Sequence, residues 1–153
     1  MFKRKIYDKL VAWKQESDGS SAMLVEGARR VGKSTTVEEF ARNEYDSYIL
    51  IDFSLVTDEF KQTFLDLRTD LDGFFLYLSA AYGATLIPRR SLVIFDEVQL
   101  FPQAREFIKR LVADGRYDYQ SLAVPPTARH APPSADLRER AFEEALFRKP
   151  VTQ

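Results

Sequence analysis

Residues Gly27-Ala28-Arg29-Arg30-Val31-Gly32-Lys33-Ser34 form a complete G-x-x-x-x-G-K-[ST] pattern, the spacing of a phosphate-binding loop. Each residue type has a physical task in that chemistry. Gly27 and Gly32 let the backbone turn and approach phosphate oxygens with no Cβ in the way. Successive N–H groups of Ala28, Arg29, Arg30, Val31, Gly32, Lys33, Ser34 and Thr35, with the positive end of a following helix, make an anion nest. Lys33 is expected to reach the β- and γ-phosphates, and the Ser34 hydroxyl to ligate Mg²⁺. The ligand implied is a nucleoside triphosphate with magnesium. For the Arg29 and Arg30 side chains two readings stay open: contact with phosphate or a neighbouring subunit, and plain solvation.

A second group of residues supplies the other half of such a site. The apolar run Ser91-Leu92-Val93-Ile94-Phe95 closes on Asp96-Glu97. Ligands of parallel sheets bind beyond the carboxyl ends of the strands. Asp96 is therefore expected to hold Mg²⁺, directly or through water. Glu97, one residue on, is placed to orient and polarise an attacking water. An apolar run ending in two acids is weak by itself, because many strands end at Asp. Its pairing with the upstream loop gives it weight, as a Walker A and Walker B set. A water-activating carboxylate suits a hydrolase better than a kinase that excludes water. The only asparagine, Asn43, is followed by Glu44-Tyr45, so the Asn-Lys-x-Asp guanine motif is missing and ATP is favoured over GTP. No H-R-D catalytic loop of protein kinases is present either.

The flanking sequence predicts elements that would position these groups. Ala22-Met23-Leu24-Val25 reads as a buried parallel strand entering the loop. Val37, Phe40 and Ala41 follow helical spacing, so a helix leaves it. An opening helix over 3–16 carries Ile6, Leu10 and Trp13 on one face. Tyr48 to Phe53 reads as another buried strand. Phe60, Phe64 and Leu67, then Leu71, Phe74, Phe75 and Leu78, fall at helical spacing that favours core packing over a ligand box. Gly83 is placed to end that region. Pro102 suits the first turn of a further helix that buries Phe107, Ile108, Leu111 and Val112 and stops at Gly115. Strands alternating with helices argue for an α/β layer fold with a parallel sheet.

Bulk composition narrows the alternatives. With 153 residues the chain can bury one real core. At 45% hydrophobic and 13% aromatic, the composition is that of a globular chain. A net charge of −1 gives no global basic excess for nucleic acid or an anionic membrane. Arg105, Lys109 and Arg110 share one helix face that is better read as solvated. There is no cysteine, which excludes thiolate metal sites and fits a reducing cytoplasmic setting. His130 is the single histidine and sits among prolines, so a surface loop residue is expected. No apolar run approaches membrane-spanning length, and no secretory h-region follows the basic start.

Near residue 119 the character changes. Five of the seven prolines lie from Pro125 onward, and 124–134 reads as an irregular linker. Asp136 and Glu139 could cap a last helix over 136–149.

The quoted motifs support a family resemblance. Leu24 to Ser34, Tyr48-Ile49-Leu50-Ile51-Asp52-Phe53-Ser54, Phe95-Asp96-Glu97-Val98-Gln99 and Asp114 to Tyr119 together resemble the N-terminal ATPase core of a prokaryotic AAA-type family. Its members resemble archaeal-type ATPases and carry a C-terminal domain of unknown function. The resemblance covers about three quarters of the chain. It implies a P-loop NTPase αβα sandwich in strand order 5-1-4-3-2, ATP and Mg²⁺ as ligands, and a possible self-association in which a neighbour lends an arginine. Gln99 fits the family's Asp-Glu-x-Gln pattern. A supporting role in the site and a solvated loop role both stay open for it. After Tyr119 the family pattern lapses. The expectation is therefore an ATPase core over 1–119, a Pro-rich tail over 120–153, and a truncated or frame-shifted chain. In that order the fourth strand lies between the two Walker strands. Leu122-Ala123-Val124 could fill the slot as a short strand, with Ser121 at the wrong end to sense the γ-phosphate.

Overall fold

The computed structural model describes residues 2–27, 33–124 and 151–152. The chain opens with helix α1 (Phe2–Ser17), turns through Gly19, and enters β1 (Ser21–Glu26). Helix α2 (Lys33–Glu44) and strand β2 (Ser47–Asp52) follow. Two short helices come next, α3 (Asp58–Asp66) and α4 (Leu71–Tyr82). Their boundaries are set locally. The Thr57 hydroxyl accepts the Phe60 N–H, and the Asp70 carboxylate accepts the Gly73 N–H, each satisfying an orphan donor of a first turn. Gly83 ends α4 at φ +62°, a left-handed turn that a side chain would resist.

Strand β3 (Ser91–Asp96) leads through Glu97 and one 3₁₀ turn (Val98–Leu100) into α5 (Pro102–Asp114). Proline starts α5, and Gly115 closes it with its N–H on the Leu111 carbonyl. Strand β4 (Asp118–Ala123) completes the main sheet.

The strand order is β2-β3-β4-β1-β5. The first four strands in this order run parallel. β5 (Val151–Thr152) is a two-residue antiparallel addition that pairs with Ser21 and Ala22 of β1.

The slot between β1 and β3 is thus filled, and by a longer segment than Leu122–Val124. Residue 119, where the core was expected to end, lies inside β4. The strand takes six residues, Asp118–Ala123, all of them buried. Asp118, Gln120 and Ser121 disguise it in the sequence, because polar residues interrupt the apolar run that marks a fully buried strand. The expected helix 136–149, His130 and nearly all of the Pro-rich linker lie outside the described residues.

Strand alternation sorts the core into two layers. Met23, Val25, Leu92, Ile94 and Leu122 face α1 and α2, where they pack with Ile6, Leu10, Trp13, Val37 and Phe40. Leu24, Val93, Phe95, Tyr119 and Ala123 face α3, α4 and α5. The aromatic residues at helical spacing fill that second layer. Phe64 lies edge-on to Phe74, Phe101 and Phe107, with ring centroids 5.0, 5.5 and 5.6 Å away. Such edge-to-face pairs favour core packing, as the spacing predicts.

Candidate functional site

The carboxyl edge of the sheet gathers the residues singled out from the sequence. β1 ends at Glu26, and buried Gly27 donates its N–H to the Ala123 carbonyl at 3.1 Å. The strand that enters the loop is thereby tied to the end of β4. Ala28, Arg29, Arg30, Val31 and Gly32 lie outside the described residues. Lys33 is the first residue of α2, and Ser34 the second. Thr35 is exposed, whereas Thr36 is buried.

Asp96 is the last residue of β3. Leu92 and Ile94 face α2, so alternation turns Asp96 to that side as well. There the Ser34 Oγ donates to Asp96 Oδ2 at 2.9 Å. Two residues 62 positions apart in sequence are brought into contact. The other carboxylate oxygen, Oδ1, accepts the Glu97 N–H at 2.8 Å. Burial is the main influence on the Asp96 carboxyl and pushes its pKa up. The Ser34 hydrogen bond opposes that shift, the negative charge of Asp52 adds to it, and the Glu97 N–H opposes it again.

This donor set suits magnesium. Mg²⁺ takes oxygen ligands in an octahedron at about 2.0–2.1 Å, which puts neighbouring ligands about 2.9 Å apart. Ser34 Oγ and Asp96 Oδ2 already stand at that separation.

Glu97 follows directly, at φ +56°. A left-handed backbone is uncommon for a residue with a Cβ and costs roughly 1–2 kcal/mol. Conformations of this kind cluster at functional sites. The turn takes Glu97 out of the strand pattern and starts the 3₁₀ turn. Gln99, on that turn, donates from Nε2 to Glu97 Oε2 at 2.7 Å. Its Oε1 accepts the Val124 N–H at 3.3 Å. Of the two readings left open for Gln99, the structure selects contact with the acid over a solvated loop position.

One neighbour of the site was missed. Asp52 ends β2 in direct register with Asp96. Its Oδ1 accepts the Ser54 N–H and hydroxyl at 2.9 and 2.6 Å. The signal was present, since Tyr48-Ile49-Leu50-Ile51-Asp52 is also an apolar run closing on an acid. Ser121 is buried on the opposite face from Ser34 and Asp96, as strand alternation requires. Arg105, Lys109 and Arg110 are exposed on α5, and Arg110 donates to the Arg68 carbonyl at 2.8 Å.

Four parallel strands flanked by helices, with a β3 acid joined to a hydroxyl at the start of α2, define a P-loop NTPase-like α/β sandwich. The AAA domain family model matches residues 19–128, and the chain belongs to that family. The match runs past residue 119 and includes all of β4. Membership indicates a nucleotide-binding function of the ATPase type. A comparison with curated proteins finds no significant match. Among the described residues, no helix is long and apolar enough to cross a membrane.

Proposed function

We propose that this chain binds ATP with Mg²⁺ and hydrolyses it to ADP and phosphate. The observation that carries the reading is the 2.9 Å contact between Ser34 Oγ and Asp96 Oδ2. It joins the loop half of the site to the acid half across β4. Ser34 and Asp96 would hold the metal, which when bound supplies positive charge against the β- and γ-phosphate oxygens. The backbone from Gly27 through Thr35, with Ala28, Arg29, Arg30, Val31 and Gly32 between, would cradle the phosphates. Lys33 would stabilise charge on the transferring group. Glu97 would orient water in line with the γ-phosphate and take its proton. The working core in this reading runs through Val124.

A second reading, nucleotide binding with little turnover, is favoured by one observation. Near its carboxyl end β4 turns apolar Leu122 to the Asp96 face, where a polar group could report on the γ-phosphate. Labelled-ATP binding and phosphate release separate the two readings when measured on wild type, Lys33→Ala and Glu97→Gln. Hydrolysis predicts release that Glu97→Gln lowers by roughly 10²–10⁴-fold with ATP still bound, and binding that Lys33→Ala weakens. Binding without release supports the second reading. Release that survives Glu97→Gln removes Glu97 as the base.

A further inference from the structure

We propose that Gln99 is the positioning residue for Glu97 and stands where a polar side chain on β4 would otherwise serve. The inference rests on the hydrolytic reading of the site. Three hydrogen bonds run in series across the carboxyl edge. The Gly27 N–H donates to the Ala123 carbonyl at 3.1 Å. The Val124 N–H, one residue on, donates to Gln99 Oε1 at 3.3 Å. Gln99 Nε2 then donates to Glu97 Oε2 at 2.7 Å. The series links the entry of the phosphate loop, through the end of β4, to the carboxylate assigned to water.

The chemistry of the two ends fixes how the amide must lie. A carboxylate only accepts and a backbone N–H only donates, so a flipped amide would lose both bonds. One side chain therefore sets the Glu97 carboxylate at a defined distance from β4. The need for such a tether is local. Glu97 sits at φ +56° at the start of a 3₁₀ turn, outside the β ladder, so strand pairing does not hold its side chain. The carboxyl end of β4 offers no substitute, because Ser121 lies on the face away from Asp96, Leu122 is apolar and Gln120 lies deeper, opposite Ile94.

Two variants separate the ends of the amide. Gln99→Met removes both bonds. Gln99→Glu keeps an acceptor for the Val124 N–H but cannot donate to Glu97 at neutral pH. Positioning partners of this kind are worth roughly 10- to 100-fold in activity. The expected result is a kcat lowered by about that factor in both variants. KM and ATP affinity should stay within about twofold of wild type, because ground-state binding does not use this contact. Should Gln99→Met fail to fold, Gln99→Glu carries the test, with a melting temperature near that of wild type as its control.

Wild-type kcat in Gln99→Glu overturns the inference, since the amide would then serve only to hold β4. A raised KM with unchanged kcat overturns it equally. A wild type that binds ATP without releasing phosphate sinks the hydrolytic reading and this one with it. Release that is lost in Glu97→Gln but intact in Gln99→Glu sinks this one alone.

Discussion

Replacing Asp118 should loosen the strand on which both halves of the site depend. Asp118 opens β4 and is 4% exposed. It accepts the Tyr45 hydroxyl at 2.5 Å and Arg89 Nη2 at 2.7 Å. Burial and the Asp118 charge together push the Tyr45 pKa well above the ordinary phenol value, so its hydroxyl remains a donor throughout the working pH range. Asp118→Ala leaves that buried donor without this acceptor, at about 1–3 kcal/mol. The Arg89 side chain is 38% exposed, so its guanidinium can rehydrate. Solvent screening limits its share to roughly 0–1 kcal/mol. The sum is a loss of about 1–4 kcal/mol, or roughly 2–16 °C in melting temperature for a chain of this size.

Asp118→Asn keeps an oxygen for Tyr45 but loses the charge and the second oxygen, to which Arg89 donates, so about 1 kcal/mol is expected. Adding Tyr45→Phe to Asp118→Ala removes the orphaned hydroxyl and should recover about 1 kcal/mol or more. Urea unfolding, followed by fluorescence of Trp13, measures these chains and Tyr45→Phe alone, which completes the cycle. An Asp118→Ala loss below roughly 0.5 kcal/mol, the ordinary range of surface substitutions, would refute this account of the anchor. So would a double variant that is additive, because the two groups would then not be coupled.

Two further outcomes follow from burial at the site and in the sheet. Asp96 has a raised pKa in the fold, so its protonated form stabilises the protein below the ordinary aspartate value, and that contribution is lost as pH rises through the folded value. Metal-free Asp96→Asn should therefore melt above wild type at neutral pH, by a margin that shrinks toward pH 4. Added ATP and Mg²⁺ should raise the melting temperature of wild type far more than that of the variant, and a thermal-shift pH series reads both effects. Gln120, on β4, is 0% exposed, and neither amide atom has a hydrogen-bond partner among the described residues. Gln120→Met should raise stability by roughly 1–3 kcal/mol, seen as a higher urea midpoint at constant slope, whereas a loss of about 1 kcal/mol would show that bound water satisfies the amide.

What the sequence made legible was whatever acts locally. The apolar runs of β1, β2 and β3 and the capping roles of Gly83, Pro102 and Gly115 each depend on a few adjacent residues. Long-range facts were harder. β4 reads Asp-Tyr-Gln-Ser-Leu-Ala, and its polar residues are explained only by partners elsewhere, as Asp118 is by Tyr45 and Arg89. Asp52 could be seen as a strand-ending acid, but only strand register puts it beside Asp96. Gln99 left two readings open because its partners, Glu97 and Val124, meet only once the sheet has assembled. The expected 5-1-4-3-2 order is matched by the four parallel strands, whereas the fifth place is taken by an antiparallel pair at 151–152.

The place of β4 sets the geometry of the site. β1 and β3 both pair with it and do not pair with each other. Neighbouring strands lie about 4.8 Å apart, so the strand that feeds the loop and the strand that ends in Asp96 stand about 9–10 Å apart. Across that span Ser34, at the start of α2, still meets Asp96, at the end of β3. Were β4 absent, β1 and β3 would either close together, removing the span, or leave two ladder edges open. Being buried is not enough for β4, because its register also matters. A slip of one residue would turn Leu122 and Asp118 to the wrong faces. It would also move the Ala123 carbonyl away from Gly27 and the Val124 N–H away from Gln99. The two halves of the site are thus held through consecutive backbone groups of one strand, and a lesion at either end of β4 should reach both halves together.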